Sequence, residues 1–233
     1  MVFLEHYNLR NDKGVMSEEE KYNESVTEVV LDRQEALDPK ALRLLAYGRP
    51  SDTCQIDGQE FPSGRLGNMS GGFHFTLFDM KWYSSEHLYL CGEWSFNTER
   101  CIEAQKYVRK MKSGAWAWRY SKAKYKNDIR PDFPTFRYQW MLWCVWQKCC
   151  LNKKFAKQLK SVPDDVIIVE HVKKEDLVWS TNLDENGILH GGNAMGKILT
   201  ICRRHLLDGG VPMIDTDLLN ASKIHVLGRR IYF

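Results

Sequence analysis

Apolar positions recur at helical spacing in several stretches of the chain. After Ser84 and Ser85, either of which suits an N-cap, Leu88, Cys91 and Trp94 form a stripe, with Glu86 in the first turn. The segment from Glu99 to Met111 also predicts a helix. Thr135 opens a long helix bearing Phe136, Trp140, Trp143, Cys144 and Gln147, and Asn152 marks a break before a second one with Phe155 and Leu159. Asn193 starts a last helix whose core face is Met195, Ile198, Leu199 and Cys202. Residues 38–47 (DPKALRLLAY) predict a short helix, with Asp38 as cap and Gly48 and Pro50 as the stop. Strand signals are fewer: FHFTLF (Phe73 to Phe78) among glycines, and VIIVEHV (Val166 to Val172) after a Pro-Asp-Asp turn. Residues 113–134 look like a basic, aromatic connector. Residues 1 to about 35 form an acidic, patchy arm, in which Val26, Val29, Val30 and Leu31 suit either a short strand or a short helix.

This pattern predicts a single α+β domain, predominantly α-helical, with a small β-sheet drawn from residues 73–78 and 166–172. Composition agrees. The 233 residues are 43% hydrophobic and 27% charged, enough apolar material to offset the ordering entropy of folding. No run of eighteen apolar residues suggests a membrane span, and the first residues lack the basic and apolar blocks of a secretory signal. The seven cysteines are odd in number and include no C-x-x-C, which disfavours a disulfide framework and a structural zinc site. A reduced, cytoplasmic setting is the expectation. With 33 basic and 30 acidic residues the net charge is only +3, which by itself demands no nucleic acid.

The phosphate-loop, dinucleotide, zinc-protease and serine-hydrolase signatures are all absent. Four constellations remain. In Trp82-Tyr83-Ser84-Ser85-Glu86-His87, a carboxylate sits beside aromatics at a helix start; Glu86 equally suits a simple partner of the helix dipole. Val169-Glu170-His171 and Asp176-Leu177-Val178-Trp179 deliver two carboxylates from a strand end and a loop. Paired carboxylates suit glycosidic cleavage, whose transition state is cationic, although strand-end acids are common. Gly191-Gly192-Asn193 runs into Gly196, Lys197 and Arg203, a pattern suited to phosphate at a helix N-terminus or to an ordinary cap. Lysines 122, 124 and 126 with Arg130 interleave with Trp116, Trp118, Tyr120 and Tyr125, which fits base and phosphate contacts or a solvated loop with core anchors.

Taken in order, these pieces resemble the NADAR family, also called YbiA-like. The family's opening turn is matched loosely by Leu66-Gly67-Asn68-Met69, and its helix start closely by Tyr83-Ser84-Ser85-Glu86-His87. Arg130-Pro131-Asp132-Phe133 opens the long helix, which carries Met141 and Lys148 and ends near Asn152. Val169-Glu170, the Asp176 to Trp179 loop, and Gly191, Asn193, Gly196, Leu199 and Arg203 complete the series. The resemblance spans residues 64–207, leaving 1–63 as an N-terminal extension packed on or flanking the domain and 208–233 as a C-terminal extension. The chain departs from the pattern where Phe133 replaces a Trp and Ser180 a Gly.

The resemblance implies an N-glycosidase acting on an N-ribosyl bond. One branch of the family is similar to enzymes that remove ADP-ribose from guanine in DNA, reversing an ADP-ribosyltransferase toxin; another acts on phosphorylated riboflavin-pathway intermediates. It implies Glu86 and Asp176 as catalytic carboxylates. Tyr83, Phe133 and Trp179 would stack on base or sugar, Asn193, Gly196 and Arg203 would hold phosphate, and Asn68 and Lys148 would assist in binding. No metal and no cofactor are expected. The expected partners are ADP-ribosylated nucleic acid or a ribosyl-phosphate small molecule, with a cognate toxin beside them. A silent ADP-ribose-binding module and an interaction protein using the acidic residues 17–32 are the competing expectations.

Overall fold

The computed structural model describes residues 65–171 and 178–233, together with four short strands upstream. Those strands are β1 (Glu35–Leu37), β2 (Leu44–Tyr47), β3 (Cys54–Ile56) and β4 (Gln59–Phe61). The arm before residue 35, and Asp176 with its neighbours 172–177, lie outside the described residues.

The centre of the molecule is α1 (Ser85–Glu93), all nine residues of which are buried. It packs on α4 (Phe133–Leu151), whose apolar residues extend round most of its circumference, as expected of a helix with neighbours on several sides. The approach of these two helices depends on Gly92, because a Cβ there would lie 2.3 Å from Trp140 Nε1. That indole N–H donates to the Tyr89 carbonyl at 3.0 Å, so the missing side chain admits the ring that joins the helices. A second indole, Trp94, donates to the Tyr125 carbonyl at 3.0 Å from within the same core.

Around this pair lie α2 (Glu99–Lys110), α3 (Gly114–Tyr125), α5 (Lys153–Lys160), α6 (Ala194–Asp208) and α7 (Thr216–Ala221). Side-chain oxygens of Thr98, Ser113, Asn152 and Asp215 accept from the first-turn N–H groups of α2, α3, α5 and α7, so these starts follow ordinary capping chemistry. The expected connector over 113–134 is therefore corrected: most of it is the helix α3. The long helix also starts two residues before Thr135, with Asp132 at its cap position and Pro134 in its first turn.

The strands form small separate sheets. β5 (Phe75–Leu77) and β6 (Met80–Trp82) make a hairpin whose two turn residues, Phe78 and Asp79, both take positive φ, as a two-residue turn of this hand requires. β7 (Ile167–Glu170) pairs in parallel with β2. The expected single sheet from 73–78 and 166–172 is thus replaced by two unconnected pairings, and the expected helix over 38–47 gives way to a strand at 44–47. The unbroken run Leu-Leu-Ala-Tyr has no periodicity to separate the two states, and pairing with β7 decides it. β8 (Thr181–Leu183), β9 (Leu189–Gly191) and β1 form a three-stranded antiparallel sheet. The C-terminal hairpin, β10 (His225–Val226) and β11 (Arg229–Arg230), closes the described chain. The architecture is α+β with helices dominant. Among the described residues no helix is long and apolar enough to cross a membrane.

Candidate active site

Residues 86, 89 and 93 of α1 fall on one helical face, at spacings of three and four. That face floors a cavity of about 470 Å³. Phe133, Arg137 and Met141, four residues apart on α4, line a second wall. Trp118 and Lys122 of α3 reach it from the side, and Glu170, Trp179 and Met195 close it from beyond β7. The loop carrying Asn68 completes the lining.

That loop is built onto the start of α1. The Asn68 carbonyl accepts from the Glu86 N–H at 3.2 Å and from Ser85 Oγ at 3.2 Å. Its side-chain oxygen accepts from Ser85 Oγ at 2.8 Å, which leaves the amide Nδ2 to donate to Glu86 Oε2. Asn68 therefore fixes one oxygen of the Glu86 carboxyl. The neighbouring His87 faces away from the cavity: one ring nitrogen lies 2.8 Å from Ser84 Oγ and the other 3.0 Å from the Met111 carbonyl.

The carboxyl groups differ in electrostatic state. Glu86 is 3% exposed, and its pKa is pushed up to about 8, first by burial and then by the negative charges of Glu93 and Glu170. Lys122 and the Asn68 hydrogen bond oppose this without cancelling it. At neutral pH Glu86 thus carries its proton. Burial also raises Glu93, but Lys122 Nζ lies 2.6 Å from its Oε1 and favours the charged form. Glu170 is half-buried and delivered by the end of β7. The arrangement is one protonated acid beside acids of different surroundings, the condition under which carboxyls can divide acid and base roles.

Of the site residues implied by the family resemblance, Glu86, Asn68, Phe133 and Trp179 meet at this cavity, joined by Glu170, Trp118, Lys122 and Arg130 from the other constellations read in the sequence. Phe133 is buried against Tyr89 and Phe136, at centroid distances of 5.4 and 5.3 Å. Trp179 lies 4.8 Å from the Tyr138 ring. Asp176 lies outside the described residues, and the remaining residues implied by the resemblance lie elsewhere. Tyr83 packs edge-on against His74 and does not line the cavity. Lys148 is fully buried with Nζ 3.8 Å from the Phe155 ring centroid and 3.3 Å from the Gly67 carbonyl, so it braces the Asn68 loop from behind.

The expected phosphate cradle has a different occupation in this structure. Asn193 Oδ1 accepts from the Glu170 N–H, and Nδ2 donates to the Ile168 carbonyl, each at 3.0 Å. Asn193 in this way pins the strand that presents Glu170. Gly196 permits α6 to approach β7, since a Cβ there would lie 2.2 Å from the Ile168 oxygen. Arg203 reaches 2.7 Å from Asp164. The N–H groups of residues 193, 194 and 195 are bonded to the carbonyls of 180, 178 and 179. These groups organise the junction of loop, strand and helix and do not face the cavity, with Met195 the one exception.

No family model matches the chain, and no curated protein matches it. The fold resembles that of YbiA from E. coli. The likeness to its NMR structure has a TM-score of 0.53 at 20% identity, covering 72% of this chain and 86% of YbiA. At that identity YbiA carries the fold and not the chemistry. The sequence resemblance to the YbiA-like family therefore has a structural counterpart at the level of architecture.

Among the polar residues lining the cavity, Tyr89, Glu93 and Arg137 were given no role in the reading of the sequence. Each carried a signal. Tyr89 and Glu93 repeat the helical face of Glu86, and Arg137 repeats that of Phe133 and Met141.

Proposed function

We propose that the protein is an N-glycosidase that hydrolyses an N-ribosyl bond at the Glu86 cavity. The observation that carries this is a buried carboxyl lining an aromatic-walled cavity, its pKa pushed up by burial and by the neighbouring charges of Glu93 and Glu170. The expected chemistry follows. Glu86 gives its proton to the departing nitrogen as the C–N bond breaks and the bonding pair leaves with the base. The ribosyl cation is stabilised by carboxylate charge, from Glu170 and from Asp176. Water then adds to the anomeric carbon and returns a proton to the ionised Glu86. A positioned acid of this kind contributes roughly 10²–10⁴-fold. Phe133, Tyr89 and Trp179 supply ring walls for the base or sugar.

The substrate we favour is ADP-ribosylated guanine in DNA, with release of ADP-ribose and reversal of the mark of a DNA ADP-ribosyltransferase toxin. Phosphorylated riboflavin-pathway intermediates are the alternative. Purified protein mixed with each substrate, followed by measurement of free ADP-ribose or released base, separates them. Turnover that falls at least about a hundredfold in Glu86→Gln, with the fold retained, is the expected result. Full turnover in that variant overturns the role of Glu86. Ligand-induced stabilisation without any product would instead identify a binding module.

A further inference from the structure

The walls of the cavity hold two buried polar atoms of opposite kind with no hydrogen-bond partner among the described residues: Glu93 Oε2 and Arg137 Nε. A buried donor or acceptor left unmade is costly, and native proteins retain few of them. The surroundings of each exclude a simple packing explanation.

Among the described residues three cations line the cavity, and two are committed. Lys122 is bound to Glu93. Arg130 is held by Asp132 at 2.6 and 2.7 Å, by Ser95 Oγ at 2.9 Å and by the Ser222 carbonyl at 2.7 Å, between the rings of Phe96 and Phe136. Arg137 has no ion pair among the described residues. It donates once, from a terminal nitrogen to Tyr138 Oη at 2.8 Å, and its guanidinium lies over the rings of Tyr138 and Trp179 at 4.7 and 5.9 Å. Aromatic contacts of this type fix a guanidinium without neutralising it. The Tyr89 hydroxyl lies within reach of its field, and burial holds that phenol in its protonated form.

Glu93 shows the complementary condition. One oxygen is occupied by Lys122, while the other is buried without a donor among the described residues, in a residue only 3% exposed. The side chains of a cation lacking an anion and of a carboxylate with one oxygen lacking a donor among the described residues therefore line one cavity, from α4 and α1.

We infer that this cavity recognises a phosphorylated sugar from both ends: Arg137 takes an anionic phosphate oxygen, and Glu93 Oε2 takes a sugar hydroxyl. The assignment rests on the N-ribosyl reading for the identity of the sugar, but it concerns binding and not bond cleavage. It moves the anion site from the start of α6, whose amides are already used, to the long helix. It also makes Glu93 the residue that distinguishes ribose from its deoxy counterpart.

Equilibrium binding of three probes tests this: ribose 5-phosphate, 2-deoxyribose 5-phosphate and ADP-ribose, measured calorimetrically on the full chain. Arg137→Gln should weaken ribose 5-phosphate and ADP-ribose by about tenfold or more, as loss of a charge-assisted hydrogen bond predicts. Arg137→Lys should recover part of that loss. Glu93→Gln should reduce the wild-type preference for ribose 5-phosphate over the deoxy sugar to near unity. Circular dichroism melting of each variant verifies that it is folded. The inference is overturned if wild-type protein binds none of the probes at millimolar concentration, or if folded Arg137→Gln binds ribose 5-phosphate as wild type does. Binding that depends on Arg137 without hydrolysis of any substrate would support the inference while removing the N-glycosidase reading. Hydrolysis with kcat/KM unaffected in Arg137→Gln would do the reverse.

Discussion

Two buried titratable residues make opposite demands on pH. Glu86 has its pKa raised to about 8 in the fold, so the folded chain keeps a proton that the unfolded chain releases above the ordinary carboxyl range. Stability from this group is full below the unfolded value and is lost as pH rises toward 8. Glu86→Gln should therefore melt higher than wild type at pH 8.5, with the difference vanishing near pH 4, while losing activity. Since the proton is the catalytic instrument, kcat/KM should hold level on the acid side and decline above about pH 8. A profile insensitive to pH between 7 and 9 would remove the acid role. Lys148 is the inverse case. Burial lowers its pKa to about 8, and among the described residues its Nζ meets only a ring face and the Gly67 carbonyl. The unfolded chain holds this proton up to about the ordinary lysine value of 10.5, so stability rises between pH 8 and 10.5. Lys148→Met should remove that rise and add about 1–3 kcal/mol at pH 7 in urea denaturation, because a desolvated ammonium is replaced by an apolar chain of similar length.

At the scale of elements, legibility followed the chemistry of the buried face. The stripe Leu88, Cys91, Trp94 and the aromatic series of α4 are large and apolar, so both helices could be read directly from the chain. The helix α3 could not. Its buried residues are Gly114, Ala117, Ser121 and Tyr125, which are mostly small, while Trp116, Trp118 and Tyr120 are exposed. A stripe of small residues carries no hydrophobic period, and the exposed rings blur what remains. The glycine pattern had a similar ambiguity. Gly191, Asn193 and Gly196 suggest phosphate, yet Asn193 and Gly196 serve the tight junction of α6 with β7, and Gly191 the close approach of β9 to Ser180 and Thr181. The α1–α4 contact provides the sharpest test at this scale. In Gly92→Ala the new methyl meets the Trp140 indole, which is fully buried and has nowhere to move. The variant should lose about 1–3 kcal/mol or more in urea denaturation, the range for overpacking a filled core. Loss of the Trp140 bond to Tyr89 would also disturb the cavity floor. An unchanged midpoint would mean that the two helices separate freely.

The whole molecule is knit by contacts far apart in sequence, and this is where sequence reading had least purchase. Motifs ended near residue 207, and what followed read as an extension because its elements are short. In the fold, Leu219, Ile224, Val226 and Ile231 belong to the same core as α1 and α4. The Gln105 amide of α2 donates to the carbonyls of Cys91, Trp94 and His225, and its oxygen accepts from the Leu227 N–H. One side chain thereby ties α1, α2 and the C-terminal hairpin together. Arg130, at the cavity, donates to the Ser222 carbonyl, and the Phe233 ring lies 5.1 Å from that of Trp143. Removing residues 208–233 would expose a large part of the core and strip buried amide and guanidinium groups of their acceptors, each orphaned group costing about 1–3 kcal/mol. Against a total stability of about 5–15 kcal/mol, such losses are decisive. The truncated chain should show lost near-ultraviolet dichroism and exposed apolar surface that binds a hydrophobic dye. Gln105→Leu in the full chain should give a milder form of the same loss, with a lower melting temperature and intact secondary structure. A truncated protein that melts cooperatively at the wild-type temperature would establish residues 208–233 as an appendage, and the core as complete without them.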